Sequence, residues 1–134
     1  MRSLLSLFLV FLAVTNVQAN NTITVKGWSD EQIVNAIYKA EGGKKTKYPY
    51  GIKSIKCESQ EACRQICLNT VRNNRKRYAK DANYGKITFI EFLGSRFAPV
   101  KGSSLSAAER KLNPNWVKNV LFFLEKDNKN GKTI

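Results

Sequence analysis

The segment SDEQIVNAIYKAEGG, from Ser29 to Gly43, carries the complete pattern of one amphipathic helix. Ser29 followed three residues later by Gln32 is a capping box, which marks a helix start, and Gly42 marks the end. Between these signals the apolar residues recur at helical spacing: Ile33, Val34, Ala36, Ile37 and Ala40. The segment therefore predicts a helix that packs its apolar face into the interior.

Glu41 is the last residue of this predicted helix, Asp30 to Glu41, and it falls in line with Val34 and Ile37 at the edge of the inward face. Partial burial and the negative end of the helix dipole both disfavour a charged carboxylate, so we expect a raised pKa for Glu41. Such a group suits general acid catalysis near neutral pH. A solvated glutamate at a helix end is the plainer alternative, because charged side chains are mostly exposed.

The N-terminus has the pattern of a secretory signal peptide covering residues 1–19. Arg2 precedes an apolar run from Leu4 to Val14, and Val17-Gln18-Ala19 places small residues where a signal peptidase cleaves. The run is short for a membrane span, so we expect a periplasmic or secreted protein without stable membrane insertion. Residues 20–134 then form one domain, with a core over about 29–126.

Charge and composition limit the chemistry of this chain. Without the signal peptide there are 22 basic and 10 acidic residues, a net charge of +12, which attracts polyanions such as nucleic acid, anionic lipids or the cell wall. Export makes the wall the nearest of these. The chain has no histidine, which excludes Ser-His and Cys-His hydrolase schemes and the common zinc sites. We expect no metal site and no cofactor, and chemistry based on carboxylates, hydroxyls or lysines.

Three cysteines, Cys57, Cys63 and Cys67, imply one disulfide in an oxidising compartment. Cys57 precedes a predicted helix that starts near Gln60, and Cys63 lies at the end of its first turn. A bond between Cys57 and Cys63 is therefore the first choice, and Cys57 with Cys67 is the alternative.

The rest of the chain predicts more helices and little else. Helical periodicity covers about Gln60–Ala79 and Phe89–Phe97, although Ile87–Ile90 is also strand-like in composition. Ser106 opens one or two further turns, and a final helix is capped by Asn113 with Pro114 at its first position. The fold class is mainly α, with at most a short β element.

Several blocks of sequence resemble a known family, the lysozyme-like domains of bacterial lytic transglycosylases, in a small single-domain exported form. The resemblance extends from about Ile33 to Leu124 and follows the order of blocks in that family. The blocks are AIYKAEGG (Ala36–Gly43), YPYGI (Tyr48–Ile52) with Ser54, CLNTVRNN (Cys67–Asn74), RFAP (Arg96–Pro99), and then Asn113, Asn115, Trp116 and Val120.

The resemblance implies an enzyme that cleaves the bond between N-acetylmuramic acid and N-acetylglucosamine in peptidoglycan. Glu41 takes the place of the catalytic glutamate, and Tyr50, Ser54, Arg96 and Asn115 are expected along the substrate cleft. In this mechanism one glutamate protonates the leaving oxygen and then accepts the proton of the muramic acid C6 hydroxyl. The chain departs from the family where Glu-Ser becomes Glu41-Gly42 and Gly-Leu-Met-Gln becomes the sequence from Gly51 to Ser54.

Three other interpretations stay open at the level of sequence. A hydrolytic muramidase needs a second carboxylate, for which Asp81 is the candidate. A basic wall-binding or secretion-associated module on a lysozyme-like scaffold needs no catalysis. A nucleic-acid binder would use Arg72–Tyr78, but we expect no nucleic-acid partner. We expect a monomer that binds peptidoglycan strands. A secretion system or another cell-wall enzyme is the further partner that we consider.

Overall fold

A computed structural model describes residues 27–131, and the predicted signal peptide lies outside this range. The described chain is mainly α-helical, as predicted, and has no β-strand; Tyr84 and Ile87 form one isolated bridge. None of its helices is long and apolar enough to cross a membrane. The helices are α1 (Asp30–Ala40), α2 (Gln60–Tyr78), α3 (Phe89–Phe97), the six-residue α4 (Ala107–Leu112) and α5 (Trp116–Lys129).

Side-chain caps fix where the helices begin. The hydroxyl of Ser29 accepts the Gln32 amide N–H, and the Gln32 side chain accepts the Ser29 N–H, so the predicted capping box of α1 is confirmed. The same reciprocal bonds join Thr88 to Glu91 at the start of α3. The strand alternative for Ile87–Ile90 is therefore wrong, because Thr88 caps a helix that begins at Phe89.

Helix α1 lies in the centre of the fold and packs against both α2 and α5, while α3 also packs against those two helices. The predicted apolar face of α1 is confirmed for Ile33, Val34, Ala36 and Ile37, each with an exposed fraction of 1% or less, while Ala40 is partly buried. The fully buried core side chains are Ile33, Val34 and Ile37 from α1, Cys67 and Val71 from α2, Leu93 from α3, and Val120 from α5.

The start of α5 differs from the sequence prediction. Asn113 does not cap this helix; residues Asn113–Asn115 form a turn of 3-10 helix, and α5 begins at Trp116. The Asn113 side-chain amide instead donates a hydrogen bond of 2.7 Å to the carbonyl oxygen of Pro99. The Asn113 side chain thus binds a distant loop and does not cap a helix. This hydrogen bond holds the segment that leads into α5.

The predicted disulfide between Cys57 and Cys63 is present, with the two Cα atoms 5.2 Å apart. Cys67 is buried and free, so the alternative pairing of Cys57 with Cys67 is wrong. The bond ties the segment that precedes α2 to the first turn of that helix.

We expect the double variant Cys57→Ser/Cys63→Ser to lower the free energy of unfolding by about 2 kcal/mol, because the bond restricts the unfolded chain over a short loop. Urea denaturation of the variant and the wild type measures the difference. Thiol titration of the denatured, unreduced wild type should give one thiol per chain, from Cys67. A value of three would contradict the assigned bond.

Candidate active site

Two adjoining open cavities share part of their lining, and we call them together the cleft. The larger, of about 670 Å³, contains Glu41, Asn115 and Trp116, and we call it the acid lobe. The smaller, of about 390 Å³, contains Ser54 and Arg96, and we call it the side lobe. The two lobes lie side by side, since both are lined by Gly51, Lys53, Phe97, Glu109 and Asn113.

Glu41 is placed in the acid lobe by the end of α1. Its backbone N–H donates a hydrogen bond of 2.9 Å to the carbonyl of Ile37, and Gly42, with a φ of 87°, turns the chain away from the helix axis. The indole Nε1 of Trp116 donates a hydrogen bond of 2.8 Å to Oε1 of Glu41. Trp116 is itself held in place, because it is buried and stacks on Phe97 with ring centroids 5.3 Å apart. The carboxyl group therefore has a defined orientation.

The pKa of Glu41 is raised, as predicted from its position on the helix, and the main cause is burial of the carboxyl group. The hydrogen bond from Trp116 and the positive charge of Lys53 act in the opposite direction, because both stabilise the carboxylate. Burial outweighs them. Glu41 thus holds its proton to a higher pH than an ordinary glutamate does.

Replacing Trp116 by Phe should raise the pKa of Glu41 further, because the carboxylate loses the N–H group that stabilises it while an aromatic ring remains. Carbon-13 NMR of the labelled Glu41 carboxyl group, followed against pH, measures both values. Trp28→Phe is the matched control, since Trp28 is the only other tryptophan of the chain and does not line the cleft. An equal or lower pKa in Trp116→Phe would show that the indole does not stabilise the carboxylate.

Gly51 brings the backbone close to the same carboxyl group. Its φ is 72°, in the region that favours glycine, and its N–H donates a hydrogen bond of 2.9 Å to the carbonyl of Tyr48. A Cβ atom at this position would lie 2.5 Å from Oε1 of Glu41 and 2.7 Å from its Cδ. No other residue type fits here without moving Glu41.

Three of the four residues expected along the cleft lie in it. Asn115 lines the acid lobe with Glu41, while Ser54 and Arg96 line the side lobe. All three are exposed, so their side chains are accessible to a ligand.

Tyr50 does not lie in the cleft. Its side chain is only 4% exposed, and its ring packs against Tyr38 with the centroids 5.1 Å apart. The ring buries its apolar surface in the core and lines neither lobe, so the structure places Tyr50 apart from the other three residues expected along the cleft.

Two charged residues of the cleft were missed by the sequence analysis. Lys53 and Glu109 line both lobes, and Lys53 Nζ lies 3.6 Å from Oε1 of Glu109. The other oxygen of Glu109 accepts hydrogen bonds from the backbone and the hydroxyl of Ser106, at 2.9 Å and 2.8 Å. These bonds lower the pKa of Glu109, so the cleft holds one carboxyl group that tends to keep its proton and one that tends to lose it.

Asp81, the sequence candidate for a second carboxylate, lies elsewhere. It occupies the turn after α2, where its carboxylate accepts the backbone N–H of Asn83 at 2.8 Å, and it lines neither lobe. The hydrogen bond within this turn accounts for an aspartate at position 81. Glu109 is therefore the second carboxylate of the cleft, in place of Asp81.

The arrangement suits proton transfer to a bound ligand, since a partly buried acid faces an open cleft. Within residues 27–131 there is no group of histidine, cysteine or acidic side chains that would hold a metal ion. No protein-family model matches the chain, and no curated protein or solved structure shows significant similarity to it.

Proposed function

We propose that the protein is a peptidoglycan lytic transglycosylase with a lysozyme-like fold, and that it cleaves the bond between N-acetylmuramic acid and N-acetylglucosamine. The observation that carries the proposal is the carboxyl group of Glu41, which has a raised pKa, is oriented by Trp116 and opens into the cleft. The order of elements also supports it. A helix ends at the acid, a glycine turn lies against its carboxyl group, and the later helices α4 and α5 line the cleft.

Glu41 performs both proton transfers of the proposed reaction. As the acid it protonates the glycosidic oxygen, and the bond between that oxygen and C1 of the muramic acid breaks. The resulting carboxylate accepts the proton of the muramic acid C6 hydroxyl, whose oxygen bonds to C1 and closes a 1,6-anhydro ring. No water enters the products, and Glu41 recovers its proton at the end.

The state of Glu109 favours ring closure over hydrolysis. A hydrolase needs a second carboxylate that activates water or attacks the sugar. One oxygen of Glu109 accepts two hydrogen bonds from Ser106 and the other lies 3.6 Å from Nζ of Lys53, so both oxygens are already engaged. A mechanism that takes its base from Glu41 itself does not depend on this residue.

The surface charge supports a polyanionic substrate in the wall. Three of the acidic side chains are neutralised in ion pairs: Asp30 with Arg75, Glu31 with Arg64, and Asp127 with Lys39. Exposed cations remain on the outer side of α2 and just beyond it, at Lys76, Arg77 and Lys80. A positive protein adheres to the carboxylates of peptidoglycan, which keeps it near its substrate.

The experiment is digestion of purified peptidoglycan by the chain without residues 1–19, followed by mass spectrometry of the released fragments. We expect fragments that end in anhydromuramic acid, each one water lighter than the corresponding hydrolysis product. Ordinary reducing ends would identify a hydrolase and would direct attention to Glu109. No release of fragments would overturn the proposed activity.

The same cations favour a second candidate function, a basic wall-binding module without catalysis. A module of this kind would sediment with insoluble peptidoglycan in a salt-dependent way and would release no fragments. Sedimentation together with the digestion assay therefore separates the two functions.

A further inference from the structure

The side lobe combines two cations with apolar walls. Lys53 and Arg96 line it together with Ile52, Ile55, Phe97 and Leu105. Within the described part of the chain Arg96 forms no ion pair, and its guanidinium group lies over the ring of Phe92, 5.2 Å from the centroid. Arg96 is an exposed residue that lines the side lobe, so its unpaired charge is accessible to an anion.

Lys53 has an acidic neighbour, but the contact is loose. Its Nζ lies 3.6 Å from Glu109, and its side chain is 66% exposed. The other oxygen of Glu109 is held at 2.8–2.9 Å by Ser106, so this carboxylate is fixed by the cap of α4 and only approached by Lys53. A second carboxylate that enters the side lobe can therefore reach the ammonium group, although Glu109 competes with it.

Cations beside apolar walls match a short peptide that has small aliphatic side chains and carboxylates. Under the proposed function, the muramic acid carries such a peptide, attached through the lactyl group at C3. Since the two lobes have five lining residues in common, the side lobe is the neighbouring space into which a sugar bound beside Glu41 would extend this substituent. A polymer of N-acetylglucosamine alone has no group that requires either cation.

We propose that the side lobe binds the carboxylate-bearing peptide of the muramic acid through Arg96 and Lys53, and that Glu109 weakens this binding by competing for Lys53. The inference rests on the proposed function, because that function supplies the peptide. It makes Arg96, Lys53 and Glu109 specificity residues that do not take part in the proton transfers of Glu41.

The test compares two probes that differ by one charge, N-acetylmuramoyl-L-alanyl-D-glutamate and the same molecule with the α-carboxylate of the glutamate converted to an amide. NMR titration of the chain without residues 1–19, at low ionic strength, gives both dissociation constants. We expect the acid to bind about fivefold more tightly than the amide, the upper range for an exposed ion pair. The preference should fall as salt is added.

Variants should change this preference in opposite directions. Arg96→Met and Lys53→Met should each bring the ratio of the two constants towards one. Glu109→Gln should increase the ratio, because Lys53 loses its competitor while glutamine can still complete the capping box with Ser106. Lys76→Met is the control, since it removes the same charge from the outer side of α2 and should leave the ratio unchanged.

The inference is overturned if the acid shows no preference over the amide or no binding, or if the preference survives in both Arg96→Met and Lys53→Met. An equal loss of preference in Lys76→Met would also overturn it, because the effect would then come from net charge. These outcomes are separate from the enzymatic proposal. Cleavage of peptidoglycan without a preference for the acid removes only the peptide site, and a preference without cleavage removes only the enzyme.

Discussion

Glu41→Gln is expected to lower the rate of peptidoglycan cleavage by about two to four orders of magnitude, the usual effect of losing a positioned proton donor. Glutamine keeps the size of the side chain, and its amide oxygen can still accept the hydrogen bond from Trp116. Only the transferable proton is lost. Binding of the variant to insoluble peptidoglycan should therefore stay close to that of the wild type, while fragment release is lost.

The same substitution should leave the fold intact and increase its stability at neutral pH. The native state raises the pKa of Glu41 above its unfolded value, so the native state binds the proton more tightly. Below the unfolded pKa, Glu41 is protonated in both states, and its titration does not change the stability of the fold. As the pH rises through the raised native pKa, the wild type loses stability. Glu41→Gln does not, because glutamine has no proton to lose. Urea unfolding at pH 4 and pH 7 should show an advantage of the variant that grows with pH.

Glu125→Gln is the matched control for both measurements, because it makes the same chemical change on the exposed side of α5, outside the cleft. Its rate should equal that of the wild type, and its unfolding curves measure the effect of the same change on an exposed surface. An unchanged rate in Glu41→Gln, with the protein folded, would contradict the role assigned to this residue.

The features that could be predicted from the sequence depend on near neighbours in the chain. The capping boxes at Ser29 and Thr88 are complete within four residues, and the apolar face of α1 repeats within three turns. The raised pKa of Glu41 was predictable for the same reason, because its line with Val34 and Ile37 fixes the side of the helix on which it lies. Local geometry was sufficient for these residues.

The rest of the site depends on contacts between distant parts of the chain. Trp116 and Glu41 are 75 positions apart, and neither has a local feature that indicates their hydrogen bond. The cap between Glu109 and Ser106 is local, but the position of Glu109 in the cleft beside Lys53 depends on tertiary contacts. Tyr50 was expected along the cleft from the resemblance of the block YPYGI, but packing against Tyr38 buries its ring. Tertiary contacts decided each of these cases.

Gly51→Ala should reduce cleavage by about a hundredfold or more, because the new methyl group would lie 2.5 Å from an oxygen of Glu41 and must displace it. A displacement of about 1 Å at a catalytic group is sufficient for a loss of this size. The variant also forces alanine into a backbone conformation with a φ of 72°, which costs about 1–2 kcal/mol of stability. Activity and unfolding must therefore be measured on the same preparation.

Gly85→Ala separates the two effects. Gly85 has a φ of 77°, so alanine there meets the same backbone strain, but no atom lies within 4 Å of the added methyl group. Both variants should lose stability through the backbone strain, Gly51→Ala more because of its contact with Glu41, and only Gly51→Ala should lose activity. The pKa of Glu41 in Gly51→Ala should also change, because a displaced carboxyl group cannot keep both its burial and its bond to Trp116. Equal activity in the two variants would mean that the backbone at Gly51 does not position the acid, and that the end of α1 and Trp116 together are sufficient.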